Sequence, residues 1–278
     1  MEAELNTNFV SKKELNHKHI AFSMARVPGS GHYYHGASDS GVYQVDHADE
    51  KPEPRRFTTE GHFSYILGTA LNSRHLFTGG WDKNLIWWDL ETGKAVRKQK
   101  AHDKWLRGVE VSPCGKQLAT VSDDMVCRIW STETGSLLAE LKGHEAMTPN
   151  NYPSMLFCAR YSPDGSRLAT GDKVGHVVIW DTESFKQLQT LDAPGHYTWD
   201  PTARRHSIGG LRSIAFSPDG SQIYTGGIHK IGNVDHLGAK ARIEIFDLET
   251  GGSLAVLSGS DKCKGLVCLL YTSDAADE

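Results

Sequence analysis

The sequence predicts an all-β fold built from a repeated unit, and three observations support this prediction. A Ser-Pro-x-Gly turn recurs along the chain, at 112–115, 162–165 and 217–220. Each turn is followed by a segment of strand-forming residues that ends near an aromatic side chain, namely Trp130, Trp180 and Phe246. No segment shows sustained apolar residues at the i, i+3 and i+4 spacing that a helix requires.

The unit from 101 to 142 shows the order of the elements most clearly. Its first predicted strand surrounds Val109 and Val111, and the next three cover 117–121, 126–130 and 137–141. In the first turn Pro113 fixes φ and Gly115 supplies the position that needs a positive φ. Turn-forming polar residues and glycine also separate the later strands. The unit is therefore predicted to contain four short antiparallel strands.

The spacing of the units indicates how they are arranged. Equivalent positions at the ends of their third strands are separated by 43, 42, 50 and 66 residues, and they are Asp46, Asp89, Ser131, Asp181 and Asp247. Four short strands cannot bury both faces of one sheet alone, so the units must stack on one another. A period near 40 is typical of the blades of a β-propeller. The two longer intervals indicate insertions in the later units.

Particular residues of the units resemble the WD-repeat family of G-beta type propellers. Gly-His dipeptides or their equivalent stand at 61–62, 101–102 and 143–144, and Trp-Asp stands at 88–89 and 180–181. The resemblance covers 58–257 and implies a blade-locking network of His, Thr, Asp and Trp. Two such sets are expected: His62, Thr78, Asp82 and Trp88, then His102, Thr120, Asp124 and Trp130. Val174 and Phe246 depart from the pattern, so apolar packing is expected in those two blades.

The repeat also sets the expected domain organisation. Residues 1–16 form an N-terminal segment, and the propeller covers 17–267, with blades at 17–57, 58–100, 101–142, 143–191 and 192–257 and a stub at 258–267. The last eleven residues, 268–278, break the repeat and resemble a translated sequencing adapter, so they are expected to be non-native. The family resemblance implies seven blades, of which about five are present.

Composition adds weaker expectations. The formal net charge is −4, which does not favour general affinity for nucleic acids or membranes. The five cysteines show no metal-ligand spacing and are expected to be buried or incidental thiols of a reducing compartment. Neither an N-terminal apolar segment nor a membrane-spanning apolar run is present, so a cytoplasmic protein without a cofactor is expected.

Insertions favour one face of the propeller as the functional one. Loops at 146–154, 195–210 and 229–241 are extended, and all three connect strands at the same end of the blades. Aromatic and basic residues, which are frequent in binding hot spots, concentrate in these loops and near the channel. The expected partner-binding residues are Trp105, Arg107, Tyr197, Trp199, Arg204, Arg205, Arg212 and Lys230. They predict a non-catalytic scaffold that holds an acidic protein or peptide segment.

Three alternatives remain open from the sequence. A metal-dependent or other enzyme would use the imidazoles and carboxylates near the same loops: His196, His206, His229, His236, Asp200 and Asp235. Their spacing matches no known ligand motif, and no nucleophile motif is present. Nucleic acid would bind through the basic loops. The extended loops would otherwise have drifted in length without acquiring a role.

Overall fold

A computed structural model describes residues 18–57, 61–202, 207–229 and 240–259. Within them, five sheets of four antiparallel strands form the blades of a propeller, and each sheet follows the order of the chain. Blade 1 contains β1 (Ala21–Arg26), β2 (His32–Ala37), β3 (Val42–Asp46) and β4 (Arg55–Arg56). The N-terminal unit is therefore one of the five four-stranded sheets.

The next three blades follow the same plan with nearly equal strands. Blade 2 contains β5 (Ile66–Leu71), β6 (His75–Gly80), β7 (Asn84–Asp89) and β8 (Ala95–Lys100). Blade 3 contains β9 (Leu106–Val111), β10 (Gln117–Ser122), β11 (Cys127–Ser131) and β12 (Leu137–Leu141). Blade 4 contains β13 (Leu156–Tyr161), β14 (Arg167–Asp172), β15 (His176–Asp181) and β16 (Gln187–Asp192).

Blade 5 is preceded by an added element. A short 3-10 helix (Pro194–His196) leads into a two-stranded ribbon of β17 (Tyr197–Trp199) and β18 (Ser207–Gly209). The blade itself contains β19 (Leu211–Phe216), β20 (Gln222–Ile228), β21 (Ala241–Asp247) and β22 (Ser253–Ser258). No helix in the described part of the chain is long and apolar enough to cross a membrane.

The Ser-Pro-x-Gly turns join the first two strands of their blades, as the sequence predicts. In blade 3 the N–H of Gly115 donates to the carbonyl oxygen of Ser112 at 2.8 Å, and Gly115 has a φ of 73°. A side chain at this φ would be strained, which explains why glycine occupies the position. The Ser112 hydroxyl accepts from the N–H of Gln117 at 3.0 Å and closes the turn.

The apolar core lies between successive blades. One buried cluster occupies each of the four junctions from blade 1 to blade 5, and examples of its members are Phe57, Trp87, Trp180 and Leu211. The innermost strands β1, β5, β9, β13 and β19 pack side by side in that order. Because each first strand is innermost, residues at its start line one end of the inner side of the five blades. We call this end the mouth.

Candidate partner-binding site

Blades 2 and 3 each contain a network of buried polar side chains that joins their strands. In blade 2 the indole N–H of Trp88 donates to the Thr78 hydroxyl at 2.7 Å, and that hydroxyl lies 2.8 Å from Nε2 of His62. Nδ1 of the same imidazole lies 2.9 Å from the Asp82 carboxylate. Every polar group is satisfied if the neutral imidazole carries its proton on Nδ1, so that the donation runs from indole to hydroxyl to imidazole to carboxylate.

Blade 3 repeats this arrangement. Trp130 donates to Thr120 at 2.9 Å, Thr120 lies 2.8 Å from Nε2 of His102, and Nδ1 lies 3.0 Å from Asp124. Burial lowers the pKa of His102, which favours the neutral imidazole that the network needs. Burial alone would raise the pKa of Asp124, but the interactions with His102 and the backbone N–H groups of Asp103 and Val126 together outweigh it and hold that pKa well below its usual range.

In blade 4 the prediction of apolar packing is wrong. Trp180, Thr170 and His144 form the same chain, with distances of 2.9 and 2.8 Å, and the carboxylate comes from Asp172 at 3.0 Å. Asp172 stands two residues before Val174, where the pattern places the acid. Its other oxygen accepts three N–H groups of the following turn, at 2.9 to 3.1 Å. The turn therefore surrounds the Asp172 carboxylate and places it next to the His144 imidazole.

Blade 5 has a weaker version of the network. His196 is fully buried, with Nε2 3.4 Å from the Thr225 hydroxyl, and that hydroxyl donates to the carbonyl oxygen of Glu244 at 3.2 Å. Phe246 offers no N–H and packs in the apolar cluster between blades 4 and 5, as the sequence predicts. We did not assign His196 to this role from the sequence. The sequence feature that indicates this role is the Gly195-His196 dipeptide, which matches the Gly-His of other blades. An insertion separates this dipeptide from β19, which hides the match.

Each innermost strand carries a register shift at an equivalent residue near the mouth. In β9, for example, Leu106 pairs with Ser122 and Gly108 pairs with Val121, so Arg107 is extra. A β-bulge of this kind twists the strand and turns the extra side chain in a new direction. The five bulged residues are Phe22, Leu67, Arg107, Phe157 and Arg212. They line the mouth, one from each blade.

An aromatic shelf covers the mouth at blades 2 and 3. The rings of Trp81 and Trp105 are stacked, with centroids 4.2 Å apart and planes 9° apart, and the ring of Tyr65 lies 4.9 Å from Trp81. Trp105 is 42% exposed, Tyr65 is 40% exposed, and Phe22 of blade 1 lies 5.3 Å from the Tyr65 ring. Exposed rings in contact with each other form a continuous apolar surface, which is typical of an interaction site.

Arginine side chains extend this surface across blades 3 to 5. The Arg107 guanidinium binds Asp123 through two hydrogen bonds of 2.7 and 2.8 Å, which hold it in place. The same guanidinium lies 5.3 Å from the Trp105 ring and 5.7 Å from the Phe157 ring. Phe157 in turn lies 3.8 Å below the guanidinium of Arg212. These are cation–π distances, and they link three blades.

Lys173 adds a further cation that sequence reasoning missed. It begins the turn between the second and third strands of blade 4, and its N–H donates to the carbonyl oxygen of Met155 at 2.9 Å. The same bond in blade 3 joins Asp123 to Trp105 at 3.0 Å, which places Lys173 at the mouth. Burial lowers the pKa of Lys173, and the nearby charge of Arg212 lowers it further. Among the described residues no carboxylate forms an ion pair with its ammonium.

Two inserted loops contact each other beside the mouth. The loop before blade 4 closes through a bridge between Met147 and Pro153, and the ribbon β17–β18 fills the loop before blade 5. The Tyr152 ring lies 4.9 Å from that of Trp199. Arg212 donates to the carbonyl oxygen of Gly209 at the end of the ribbon, at 3.3 Å. The loops therefore form a wall joined to the cationic side of the mouth.

The structure brings some of the predicted site residues together. Trp105, Arg107 and Arg212 lie at the mouth, while Tyr197 and Trp199 are half-buried in the loop wall. Arg204, Arg205 and Lys230 lie outside the described residues. Of the residues in the metal hypothesis, His206, Asp235 and His236 also lie outside them. Within the described ranges, no group of three or more His, Cys, Asp or Glu side chains is placed to hold a metal ion.

Comparison with known proteins identifies the family. The model of the WD domain with the G-beta repeat matches 54–89, 93–131, 135–181 and 199–230, which together exceed half of the chain. The protein therefore belongs to the WD-repeat family. The first three matches end on the last residue of the third strand in blades 2, 3 and 4. Each of these matches therefore begins before the outer strand of one blade and ends with the third strand of the next blade.

Three relatives illustrate the similarity. Telomerase protein component 1 of Mus musculus is 26% identical over 76% of this chain and 7% of its own length. Apoptotic protease-activating factor 1 of Rattus norvegicus is 31% identical over 56% of this chain and 12% of its own. Guanine nucleotide-binding protein subunit beta of Oryza sativa subsp. japonica is 26% identical over 60% of this chain. The match spans 42% of that subunit, so the chain corresponds to less than half of each relative.

Proposed function

We propose that the protein is a non-catalytic interaction scaffold that holds a protein or peptide segment across the mouth. The observation that carries this proposal is the continuous aromatic and cationic surface there, to which four of the five bulged residues contribute. Rings and guanidinium groups in mutual contact are held in place, so a partner binds them with little further loss of side-chain entropy. The buried histidines of blades 2 to 5 form hydrogen bonds within their blades, so no catalytic role is needed to explain them.

We further propose an acidic partner and a cytoplasmic location. Arg107, Lys173 and Arg212 lie at the mouth, with Arg107 paired to Asp123, and a negatively charged segment complements basic side chains of this kind. The cytoplasmic location is supported by the thiols of Cys114, Cys127 and Cys158, which are free. Membership of the WD-repeat family, with relatives such as the G-protein beta subunit, supports a scaffold role in general terms.

Site-specific crosslinking tests the binding surface. We would replace Trp105 with the photoreactive amino acid p-benzoylphenylalanine and irradiate the protein in extract from its source. A matched probe at Leu188 occupies outer strand β16, where the native side chain is 54% exposed and far from the channel. The proposal predicts a defined set of crosslinked proteins from position 105 that is absent from position 188. Equal labelling from both positions, or none from either, would contradict it.

A further inference from the structure

Apolar groups of three blades contact one guanidinium at the mouth, that of Arg107. The guanidinium lies 5.6 Å from the Trp81 ring of blade 2 and 5.3 Å from the Trp105 ring of blade 3. In blade 4 it lies 5.7 Å from the Phe157 ring, and one of its nitrogens is 3.9 Å from the sulfur of Met155. The rings and the thioether therefore form one surface, and the charge state of Arg107 decides what that surface attracts.

The charge of Arg107 is matched within the protein. Asp123 accepts two hydrogen bonds from the guanidinium, at 2.7 and 2.8 Å, one on each carboxylate oxygen. The two side chains are only 12% and 11% exposed, so the ion pair is largely shielded from water. An ion of either sign that packed on the shelf beside this pair would lose hydration without gaining an unmatched partner from it. The pair therefore favours an uncharged group on the neighbouring rings.

The ring of Trp105 ends the aromatic shelf and keeps one face open. It is stacked on Trp81, and among the described residues no other ring contacts it. The Arg107 guanidinium is almost equally distant from both stacked rings, so it lies beside the pair and does not cover the outer face of Trp105. Trp105 remains 42% exposed. A flat apolar face that its neighbours already hold binds a further apolar group with little loss of side-chain entropy.

We propose, building on the scaffold function above, that the partner segment is anchored by one uncharged apolar side chain, aliphatic or aromatic, which packs on the outer face of Trp105. Charged residues elsewhere in the segment steer its approach and do not supply the main contact. A nucleobase would stack on the same face, but the formal net charge of −4 does not favour a strand of phosphates. The occupant is therefore a protein segment.

Selection from a random peptide library tests the anchor. Phage-displayed dodecapeptides would be selected on the whole chain, and the enriched peptides would be synthesised with a fluorescent label for anisotropy titrations. The proposal predicts that they share Leu, Ile, Met, Phe or Trp at one position, and that Ala at this position weakens binding about tenfold or more. Replacing any acidic residue by its amide should weaken binding less. Because apolar contacts are not screened by salt, raising NaCl from about 0.1 to about 0.5 M should change Kd less than about threefold.

Protein variants assign the anchor to Trp105. Trp105→Ala should weaken the enriched peptide about tenfold or more, whereas the peptide with Ala at the anchor should bind both proteins almost equally, since its contact is already lost. Trp105→Phe keeps a flat ring and should retain most of the affinity. Leu188→Ala, which shortens an exposed apolar side chain in outer strand β16, is the matched control and should change neither. Thermal unfolding verifies folding; if Trp105→Ala does not fold, Trp105→Phe and the peptide substitutions on the unchanged protein still decide the question.

The outcomes separate this proposal from the scaffold proposal. Enriched peptides that need Trp105 but are anchored by a charged residue, with a Kd that rises steeply with salt, would overturn the apolar anchor and leave the scaffold function standing. A labelled oligouridylate that needs Trp105 and binds more tightly than every peptide would assign the shelf to base stacking and overturn both proposals. If the wild-type chain enriches no peptide, or enriches peptides that bind Trp105→Ala equally well, both proposals also fail.

Discussion

Blades 3 and 5 have the same four strands but are held together differently. In blade 3 four polar side chains form an unbroken chain from Trp130 to Asp124, with each separation between 2.8 and 3.0 Å. In blade 5 Phe246 removes the indole donor, and His196 lies 3.4 Å from Thr225. The apolar cluster with blade 4 compensates for this loss. The comparison shows that the strand pattern does not depend on the polar network.

The same two blades also differ at the mouth. The chain passes from His102 directly to β9 in blade 3, whereas the ribbon β17–β18 stands between His196 and β19 in blade 5. The blade with the weaker network is thus the one with the larger inserted loop. Both blades nevertheless place an arginine at the bulge, Arg107 and Arg212. We infer that the bulge position serves binding, while the residues behind it serve folding.

The largest expected effect comes from breaking the network where it is complete. Thr120→Val leaves the Trp130 N–H and the His102 imidazole buried without their hydroxyl partner. Each unsatisfied buried group costs about 1 to 3 kcal/mol, so we expect the free energy of unfolding to fall by about 2 to 4 kcal/mol. Urea denaturation monitored by tryptophan fluorescence measures this change.

Thr225→Val in blade 5 is the matched variant. It removes a hydroxyl with one 3.2 Å bond to a backbone carbonyl and one long contact to His196, so its cost should be about 1 kcal/mol. Equal losses in the two blades would mean that the network adds nothing to blade 3 beyond the packing of a threonine.

A smaller effect is expected from acid, through His196. Burial, followed by the charge of Arg242, lowers the pKa of His196 from 6.5 to about 4. Between these values the unfolded chain binds a proton that the folded chain does not, so stability is present above pH 6.5 and is lost as the pH falls towards 4. The loss is at most about 1.4 kcal/mol per pH unit for this one group.

His196→Gln isolates the contribution of this group. The variant keeps a polar side chain near Thr225 but does not titrate, so its free energy of unfolding should fall less steeply than that of the wild type as the pH is lowered from about 6.5 to 5. Urea titrations at a series of pH values give both slopes. Identical slopes would show that His196 takes up its proton in the folded protein.

The smallest expected effect comes from restoring the indole donor that blade 5 lacks. Phe246→Trp supplies an indole N–H at the position from which Trp130 reaches Thr120 in blade 3. We expect a gain of about 1 kcal/mol from the new hydrogen bond, reduced by the strain of fitting a larger ring into a site that is 3% exposed. The midpoint of thermal unfolding reports the balance. A gain that persists in Thr225→Val would show that ring volume, not the hydrogen bond, is responsible.

Much of the fold could be predicted from the sequence, because turns and strands are encoded locally. The Ser-Pro-x-Gly turns and alternating strands of 101–142 place each element to within a few residues. The carboxylate of blade 4 could not be placed, since Asp172 reaches His144 through a turn whose shape depends on three backbone bonds. Counting four residues from Thr170, as in blades 2 and 3, leads to Val174 instead of Asp172.

The site was less predictable than the fold. Arg107 and Arg212 were identified because they align in the repeat, and Trp105 because it follows the repeat histidine. Phe157 and Lys173 were missed, although the Phe157 ring contacts both arginines. A bulge is a property of strand pairing, and one extra residue in a strand leaves no mark in composition. The contact of Tyr152 with Trp199 was also invisible, because it joins two insertions that are distant in the sequence.

Hydrogen exchange with and without a peptide selected from a random library for binding to the whole chain tests most directly the central claim, that partners bind at the mouth. Mass spectrometry would compare backbone amides of the free chain with those of the chain saturated by the tightest peptide. The account predicts slower exchange at 102–107, 155–157 and 207–212 when the peptide is bound, and no change in the outer strand Gln187–Asp192. Protection of that outer strand with an unchanged mouth would contradict it.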